Sequence, residues 1–382
     1  MNPSLRALKP YPMAQLQARK AALQKAGTRI FDFGTGDPIE PTPGFIGEAL
    51  KQGLPAISQY PTVAGTPVLR QAVSDYATRR FGVALDPATE ILPSAGSKEA
   101  IFHLPLAFLD AESGRDTVIH GTPGYPVYQS GALFAGGQEH AVVLERARGY
   151  RLELERLPTE LLARTAIVWL NYPHNPTGAC VDADYYAHQR AICHAHGIIL
   201  ASDECYQDLW FPDSQRPPSA LSAGLAGVLA FHSCSKRSGM TGYRTGFIAG
   251  DAKLIGAYRS WRVHMGVGSP TFIEQAAAMA WNDDQHPAQR RALFAEKYRI
   301  LITGLHERGI ATLPSQAGLY IWAEVPAGQD AEGYAQRCLE AGIVISPGGF
   351  FGPGGEGWFR LALVPSPADC RAALERWPSG LG

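Results

Sequence analysis

From residue 90 onward the chain alternates short apolar runs with stretches of helical spacing, and this alternation restricts the fold more than any other feature. Residues 90–92, 117–120, 138–143, 166–170, 198–202, 228–231 and 246–249 read as strands, with helical patterns at 97–109, 125–135 and 183–196. Strands joined by crossover helices lie parallel, so the pattern predicts an α/β fold: a mostly parallel sheet flanked by helices. Helices are expected at 254–264, 271–281 and 287–308. The last hundred residues change character, with short strands near Ala311 and at 320–324, 343–345 and 358–363 around a helix at 331–341. At the other end, residues 13–26 read as an amphipathic helix followed by a strand at 30–33. The expected organisation is a large α/β domain over residues 46–275 and a smaller α+β domain built from residues 1–45 and 276–382.

The 382 residues suffice for about two cores, and 46% hydrophobic with 18% charged residues is an ordinary globular balance. A formal net charge of −1 gives no field to gather nucleic acid or an anionic membrane. No apolar run approaches the ~18 residues of a membrane span, and the first residues lack a secretory pattern. The cysteines Cys180, Cys193, Cys205, Cys234, Cys338 and Cys370 are scattered, without a Cys-x-x-Cys pair, which predicts free thiols in a reducing cytoplasm. Cys193, His194 and His196 are close in sequence, but helix positions one and two apart do not share a face, so no metal site is expected there. These bounds describe a cytoplasmic enzyme acting on small molecules.

Parallel sheets bind ligands beyond the carboxyl ends of their strands, and several chemistry-bearing stretches fall there. Ser94-Ala95-Gly96-Ser97-Lys98-Glu99-Ala100 opens a helix; its first amides could hold an anion, or Ser94 or Ser97 could simply cap it. Asn171-Tyr172-Pro173-His174-Asn175-Pro176-Thr177-Gly178 spends two prolines and two asparagines on one loop, pinning the backbone and aiming Asn175. In Ser202-Asp203-Glu204-Cys205-Tyr206, Asp203 directly follows a strand and is the better placed acid, while Glu204 reads as a solvated cap. Residues 231–250 put Lys236 among small and hydroxyl residues with Arg244 eight positions on, suited to a carbonyl held as a Schiff base and a phosphate held by Ser and Arg. Arg360 lies within an apolar strand and needs an anionic partner, either a structural carboxylate or that of a substrate.

Taken in order, with Gly34-Thr35-Gly36-Asp37-Pro38 and Tyr60, these stretches resemble the pyridoxal-phosphate-dependent aminotransferases of class I/II, the aspartate aminotransferase fold or fold type I. The resemblance covers nearly the whole chain. Its specificity lies in the spacing: 28 residues from Asn175 to Asp203, 33 to Lys236, 8 to Arg244 and 116 to Arg360. It implies pyridoxal 5′-phosphate as cofactor, with Lys236 as the Schiff-base lysine and Asp203 paired to the pyridine nitrogen. Asn175 and Tyr206 are then the partners of the ring oxygen. Gly96, Ser97, Lys98 (through its backbone), Ser233 and Arg244 would form the phosphate cup, and Tyr125 would stack on the ring. Arg360, Asn175 and the backbone of Gly36 would grip the substrate carboxylate. Tyr60 corresponds to a residue that reaches the neighbouring subunit's cofactor, so a homodimer with a shared active site is implied.

Residues 1–12, 232–238 and 266–270 are similar to the N-succinyldiaminopimelate aminotransferases of the lysine pathway, which exchange amino groups between glutamate and a long dicarboxylic amino acid. The alternative on the same fold is a C–S β-lyase, which would use Lys236, Asp203 and Arg360 but release pyruvate and ammonia.

Overall fold

A computed structural model of the chain describes residues 3–7 and 13–378. Its centre is a seven-stranded sheet of β1 (Ile91–Ser94), β2 (Thr117–Thr122), β3 (Gln138–Val143), β4 (Thr165–Asn171), β5 (Ile199–Asp203), β6 (Val228–Ser233) and β7 (Gly246–Gly250), in the order β1-β7-β6-β5-β4-β2-β3. Only β7 runs against its neighbours; every other pairing in this sheet is parallel. Helices α1 (Ser97–Phe108) and α2 (Val127–Phe134) are among those that connect the parallel strands. Between β6 and β7 the chain forms only the four-residue helix α3 (Cys234–Arg237) and a short 3-10 turn. A link without a crossover helix returns the chain antiparallel, and Lys236 sits in that link.

Both faces of the sheet are covered over its central strands, which read as nearly unbroken apolar runs, while the edge strand β3 is largely exposed. Every residue of β4 is buried. Its Ile167 and Trp169 join one core with Leu229 and Phe231, while Val168 and Leu170 join the other with Val228 and Ala230. Each such side chain contributes about 1.5–3 kcal/mol by leaving water. The sheet is therefore a rigid platform whose strand ends are fixed in register.

A third core belongs to the chain ends. Strands β8 (Tyr320–Glu324), β9 (Ser346–Pro347) and β10 (Trp358–Ala362) form an antiparallel sheet with β10 central. The two-residue strands Phe31–Asp32 and Ile343–Val344 pair in parallel, tying the N-terminal segment to the C-terminal unit. Phe31, Phe33, Leu305, Ile321, Tyr334 and Phe359 fill this core.

The structure departs from expectation in a few places. The strand near Ala311 shrinks to a single bridge between Thr312 and Ala323. The helix Met13–Lys25 is present, and none of its residues 18–25 is fully buried. The glycine-rich segment before β10 contains the 3-10 turn Gly348–Phe351. Of the opening twelve residues, 1, 2 and 8–12 lie outside the described residues. All six cysteines are free thiols. Among the described residues no helix is long and apolar enough to cross a membrane.

Candidate active site

The carboxyl ends of β4, β5 and β6 lie side by side: Asn171 is in register with Asp203, and Asp203 with Phe231. Above them opens a cleft of about 530 Å³, closed on its far side by Tyr320, Phe351 and Arg360 of the C-terminal unit. The cleft walls include all the residues singled out from sequence except Gly96 and Tyr60. Residues that are up to 326 positions apart thus converge on one space.

Asp203 forms part of its floor. The carboxylate is 4% exposed. Oδ2 accepts from Tyr128 Oη at 2.8 Å and Oδ1 from the Cys205 amide at 3.3 Å. Burial pushes this carboxyl up, and the bonds from Cys205 and Tyr128 offset the shift only partly. No cation among the described residues bonds to it, so the site offers a buried negative charge that still lacks its counterion.

Lys236 Nζ donates to the carbonyl of Gly36. Among the described residues it has no carboxylate partner, which suits a lysine reserved for covalent chemistry. The neighbouring carbonyl, Gly34, accepts from Arg360 Nη2 at 2.7 Å. This loop is itself held by Asp32, whose Oδ1 accepts from the amides of Gly34 and Thr35 at 2.9 and 3.2 Å. A side chain at Gly36 would overlap the Tyr320 hydroxyl.

On the next side lies an anion cradle. Helix α1 begins at Gly96 (φ 80°) with no side-chain cap, so neither Ser94 nor Ser97 acts as the cap considered from sequence. Uncapped first-turn amides and the helix dipole favour an anion at this end. Ser97, Ser233 and Ser235 face the cleft with Arg244. Arg244 adopts a left-handed backbone (φ 53°), a cost of about 1–2 kcal/mol for a residue with a Cβ. Its guanidinium reaches the Ala95 carbonyl at 3.3 Å. A Cβ on Gly96 would lie 2.5 Å from that guanidinium, which explains why Gly96 is a glycine and why it stands behind the arginine instead of lining the cleft.

Arg360 emerges from β10 and is 7% exposed. Its Nη1 donates to Asn175 Oδ1 at 2.9 Å, and its plane lies between the rings of Tyr320 (4.2 Å) and Phe351 (4.6 Å). No carboxylate of the described residues pairs with it, and its buried Nε has no partner. A structural carboxylate, one of the two partners considered from sequence, is therefore not what Arg360 holds. Asn175 is aimed from behind by Asn171, whose Oδ1 accepts the Asn175 amide at 2.9 Å. With the Asn175 oxygen bonded to Arg360, its NH₂ is the group left for the cleft.

Several participants were not singled out from sequence. Tyr128, on α2, is the donor to Asp203; burial and then the nearby carboxylate raise its phenol well above the ordinary value, so it stays protonated. Tyr320 Oη lies 3.0 Å from Tyr206 Oη. Cys205 lines the floor with its Sγ 2.9 Å from Ser97 Oγ. Their position after or within an apolar run was the only local signal. Glu204, read as a solvated cap, is in fact fully buried: it accepts from Ser202 Oγ at 2.9 Å and the Ala220 amide at 2.7 Å, and its other oxygen lies 3.1 Å from His232 Nε2. It anchors the loop after β5 and does not reach the cleft.

A lysine bonded to a carbonyl but to no carboxylate, a buried acid without its cation, an uncapped helix start beside an arginine and a guanidinium without a carboxylate fit the parts of pyridoxal 5′-phosphate and an amino acid. Fold and site together define the class, a pyridoxal-phosphate-dependent enzyme of fold type I. Residues 28–376 match the aminotransferase class I and II family, and the chain belongs to that family. It is 38% identical to an LL-diaminopimelate aminotransferase of Desulforudis audaxviator, over 99% of this chain and 97% of that protein. Among solved structures, substrate-bound BacF from Bacillus subtilis superposes with a TM-score of 0.93 at 29% identity, covering 98% of this chain and 96% of that one. A mutant Thermus thermophilus aspartate aminotransferase gives 0.92 at 26% identity, covering 100% and 99%. That relative is an LL-diaminopimelate aminotransferase, whereas residues 1–12, 232–238 and 266–270 suggest the N-succinyl enzymes.

Proposed function

We propose that this aminotransferase exchanges the amino group of a long amino acid of the diaminopimelate type with a 2-oxo acid, glutamate being the donor on the other side of the exchange, and that it serves lysine biosynthesis. The likeness to LL-diaminopimelate aminotransferases along essentially the full length supports the substrate class. The observation that carries the chemistry is the convergence of Lys236, Asp203, Asn175 and Arg360 on one cleft.

When bound, pyridoxal phosphate supplies an electron sink conjugated to the substrate Cα. Asp203 would pair with the ring nitrogen and keep it protonated, and that pairing would satisfy the buried carboxylate. Asn175 Nδ2 and Tyr206 Oη donate to the ring oxygen, which lowers the proton affinity of the lysine nitrogen bonded nearby. Gly96, Ser97, the backbone of Lys98, Ser233 and Arg244 hold the phosphate, and Tyr125 covers one ring face. Lys236 Nζ would hold the cofactor and, as a free amine, would take the proton from the substrate Cα and pass it to the cofactor carbon that keeps the nitrogen. Arg360, with Asn175 and the backbone of Gly36, holds the α-carboxylate in a fork that selects which Cα bond stands across the ring.

Tyr60 is completely exposed and does not line its own cleft, and Ile39, Leu54, Ile57 and Val68 are exposed around the same part of the chain. An apolar surface of this kind is one that a partner covers. We read it as the interface of a homodimer in which Tyr60 reaches the partner's phosphate site. The division into a 46–275 unit and a unit of 1–45 with 276–382 belongs to this reading, the second unit bringing Arg360 to the cleft.

The test is a half-reaction screen: the holoenzyme is mixed with glutamate, aspartate, alanine, aromatic amino acids and diaminopimelate derivatives, and conversion of the cofactor to its amine form is followed by absorbance. Rapid conversion by LL-diaminopimelate and glutamate is expected. Failure of glutamate to convert the cofactor would refute the transaminase reading for that donor, and pyruvate and ammonia released from an added cysteine thioether without that conversion would identify the β-lyase instead.

A further inference from the structure

Tyr320 touches three parts of the site at once. Its hydroxyl is 3.0 Å from Tyr206 Oη, its ring lies under the Arg360 guanidinium at 4.2 Å, and its hydroxyl closes the space beside Gly36, where a Cβ would collide with it. Both tyrosines are buried, at 4% and 8% exposure. The backbone of Tyr320 belongs to β8, paired with β10 through Ala362, so the ring is held by the same small sheet that carries Arg360.

The direction of the hydroxyl–hydroxyl bond follows from counting protons. Each phenol has one proton to give. The two hydroxyls could bond in either direction, but with the ring oxygen placed against Tyr206 as above, the single Tyr206 proton goes to that acceptor. Tyr320 then donates and Tyr206 accepts in the bond between them. Burial, reinforced by the neighbouring phenol, raises the Tyr206 pKa well above the ordinary value, so that proton is retained.

We propose that Tyr320 is a positioning residue for the transamination site: by donating to Tyr206 Oη it directs the Tyr206 proton at the cofactor's phenolic oxygen. A hydroxyl that accepts one hydrogen bond becomes a stronger donor in the next. Tyr320 thus strengthens the bond Tyr206 makes, without itself touching the cofactor. The inference rests on the placement of Tyr206 against the ring oxygen given above.

The experiment compares holoenzymes of wild type, Tyr320→Phe, Tyr206→Phe and the double variant. The readout is the pH midpoint at which the bound cofactor's visible band changes, with melting temperature recorded for each. Tyr320→Phe is expected to raise the midpoint by about 0.5–1 pH unit, the size of one neutral hydrogen bond. Tyr206→Phe should raise it further, and the double variant should match Tyr206→Phe alone, because Tyr320 acts through Tyr206. A midpoint that moves in Tyr206→Phe but not in Tyr320→Phe overturns this inference alone. Additive shifts in the double variant also overturn it, since they would mean Tyr320 acts by another route. A midpoint unmoved in Tyr206→Phe overturns the placement of Tyr206 and the inference with it.

Discussion

Substituting Asn for Asp203 separates a role in the chemistry from a role in the fold. The side chain is 4% exposed and accepts from Tyr128 and the Cys205 amide. Asparagine has the same shape and can keep one oxygen for the Cys205 amide, so the strand end should survive. What disappears is the charge. A unit pair ~3 Å apart at an effective dielectric of ~20 attracts by about 5 kcal/mol. The carboxylate's desolvation offsets part of this, leaving about 3–4 kcal/mol, or roughly 10²–10³-fold in kcat/KM.

The apoprotein should respond in the opposite sense. Burial raises the Asp203 pKa. An acid with a raised folded pKa binds its proton more tightly in the native state, so its contribution to stability falls as pH rises from the ordinary carboxylate range through the raised value. At neutral pH the ionised group therefore destabilises the apoprotein, and the Asn variant should melt at the same temperature as wild type or higher. The rise in melting temperature on adding pyridoxal phosphate should shrink, because the ligand binds the native state less tightly. Differential scanning fluorimetry of apo and holo forms across pH 4–8, beside half-reaction rates, measures all of this. An apo variant that melts well below wild type yet keeps the full cofactor increment would refute the argument.

Lys236→Ala should abolish the lysine-dependent visible band and transamination while the chain still folds, as followed by absorbance and circular dichroism. Arg360→Lys replaces a two-pronged donor by a point charge and should reduce kcat/KM for amino acids by about 10²-fold or more, seen in steady-state rates. Asp208 lies between Arg237 Nε (2.5 Å) and Arg80 Nε (3.0 Å) and also accepts from Tyr76 Oη at 3.0 Å, all of them buried or nearly so. Asp208→Asn leaves Arg80 without a carboxylate and Arg237 with only the exposed Asp284 at 3.3 Å, and should cost about 3–5 kcal/mol in a denaturant titration. Burial alone would raise the Asp208 pKa, but Arg237 and Arg80 hold it below the ordinary value. Its stabilisation is therefore present above the unfolded carboxylate pKa and should be lost as pH falls through the folded one.

The alternation of strand and helix, the mostly parallel sheet and the residues that line the cleft could be read from the chain because they depend on local order. Strand ends of a parallel sheet face one crevice, so Asp203 at the end of β5, Asn175 after β4 and Lys236 after β6 were bound to meet there. The special residue types at those ends narrowed the chemistry further, and Arg360 stood out as the charge inside an apolar strand. At α1 the sequence left two readings open, an anion on the first amides or a cap by Ser94 or Ser97, and only the backbone decides between them, with Gly96 at the helix start and no side-chain cap.

By itself, then, the sequence determined which side chains are available and at which strand ends they stand. Tertiary structure alone decided how those side chains are charged, aimed and relieved of other partners. Tyr128 reaches Asp203 across 75 positions, Tyr320 reaches Tyr206 across 114, and Arg360 reaches Gly34 across 326. No periodicity encodes such contacts, because they are made between elements and not along them. Glu204 shows the same limit: next to Asp203 in the chain and identical in charge, it points away from the cleft into a closed set of hydrogen bonds, since successive residues of a strand end face opposite sides of the sheet.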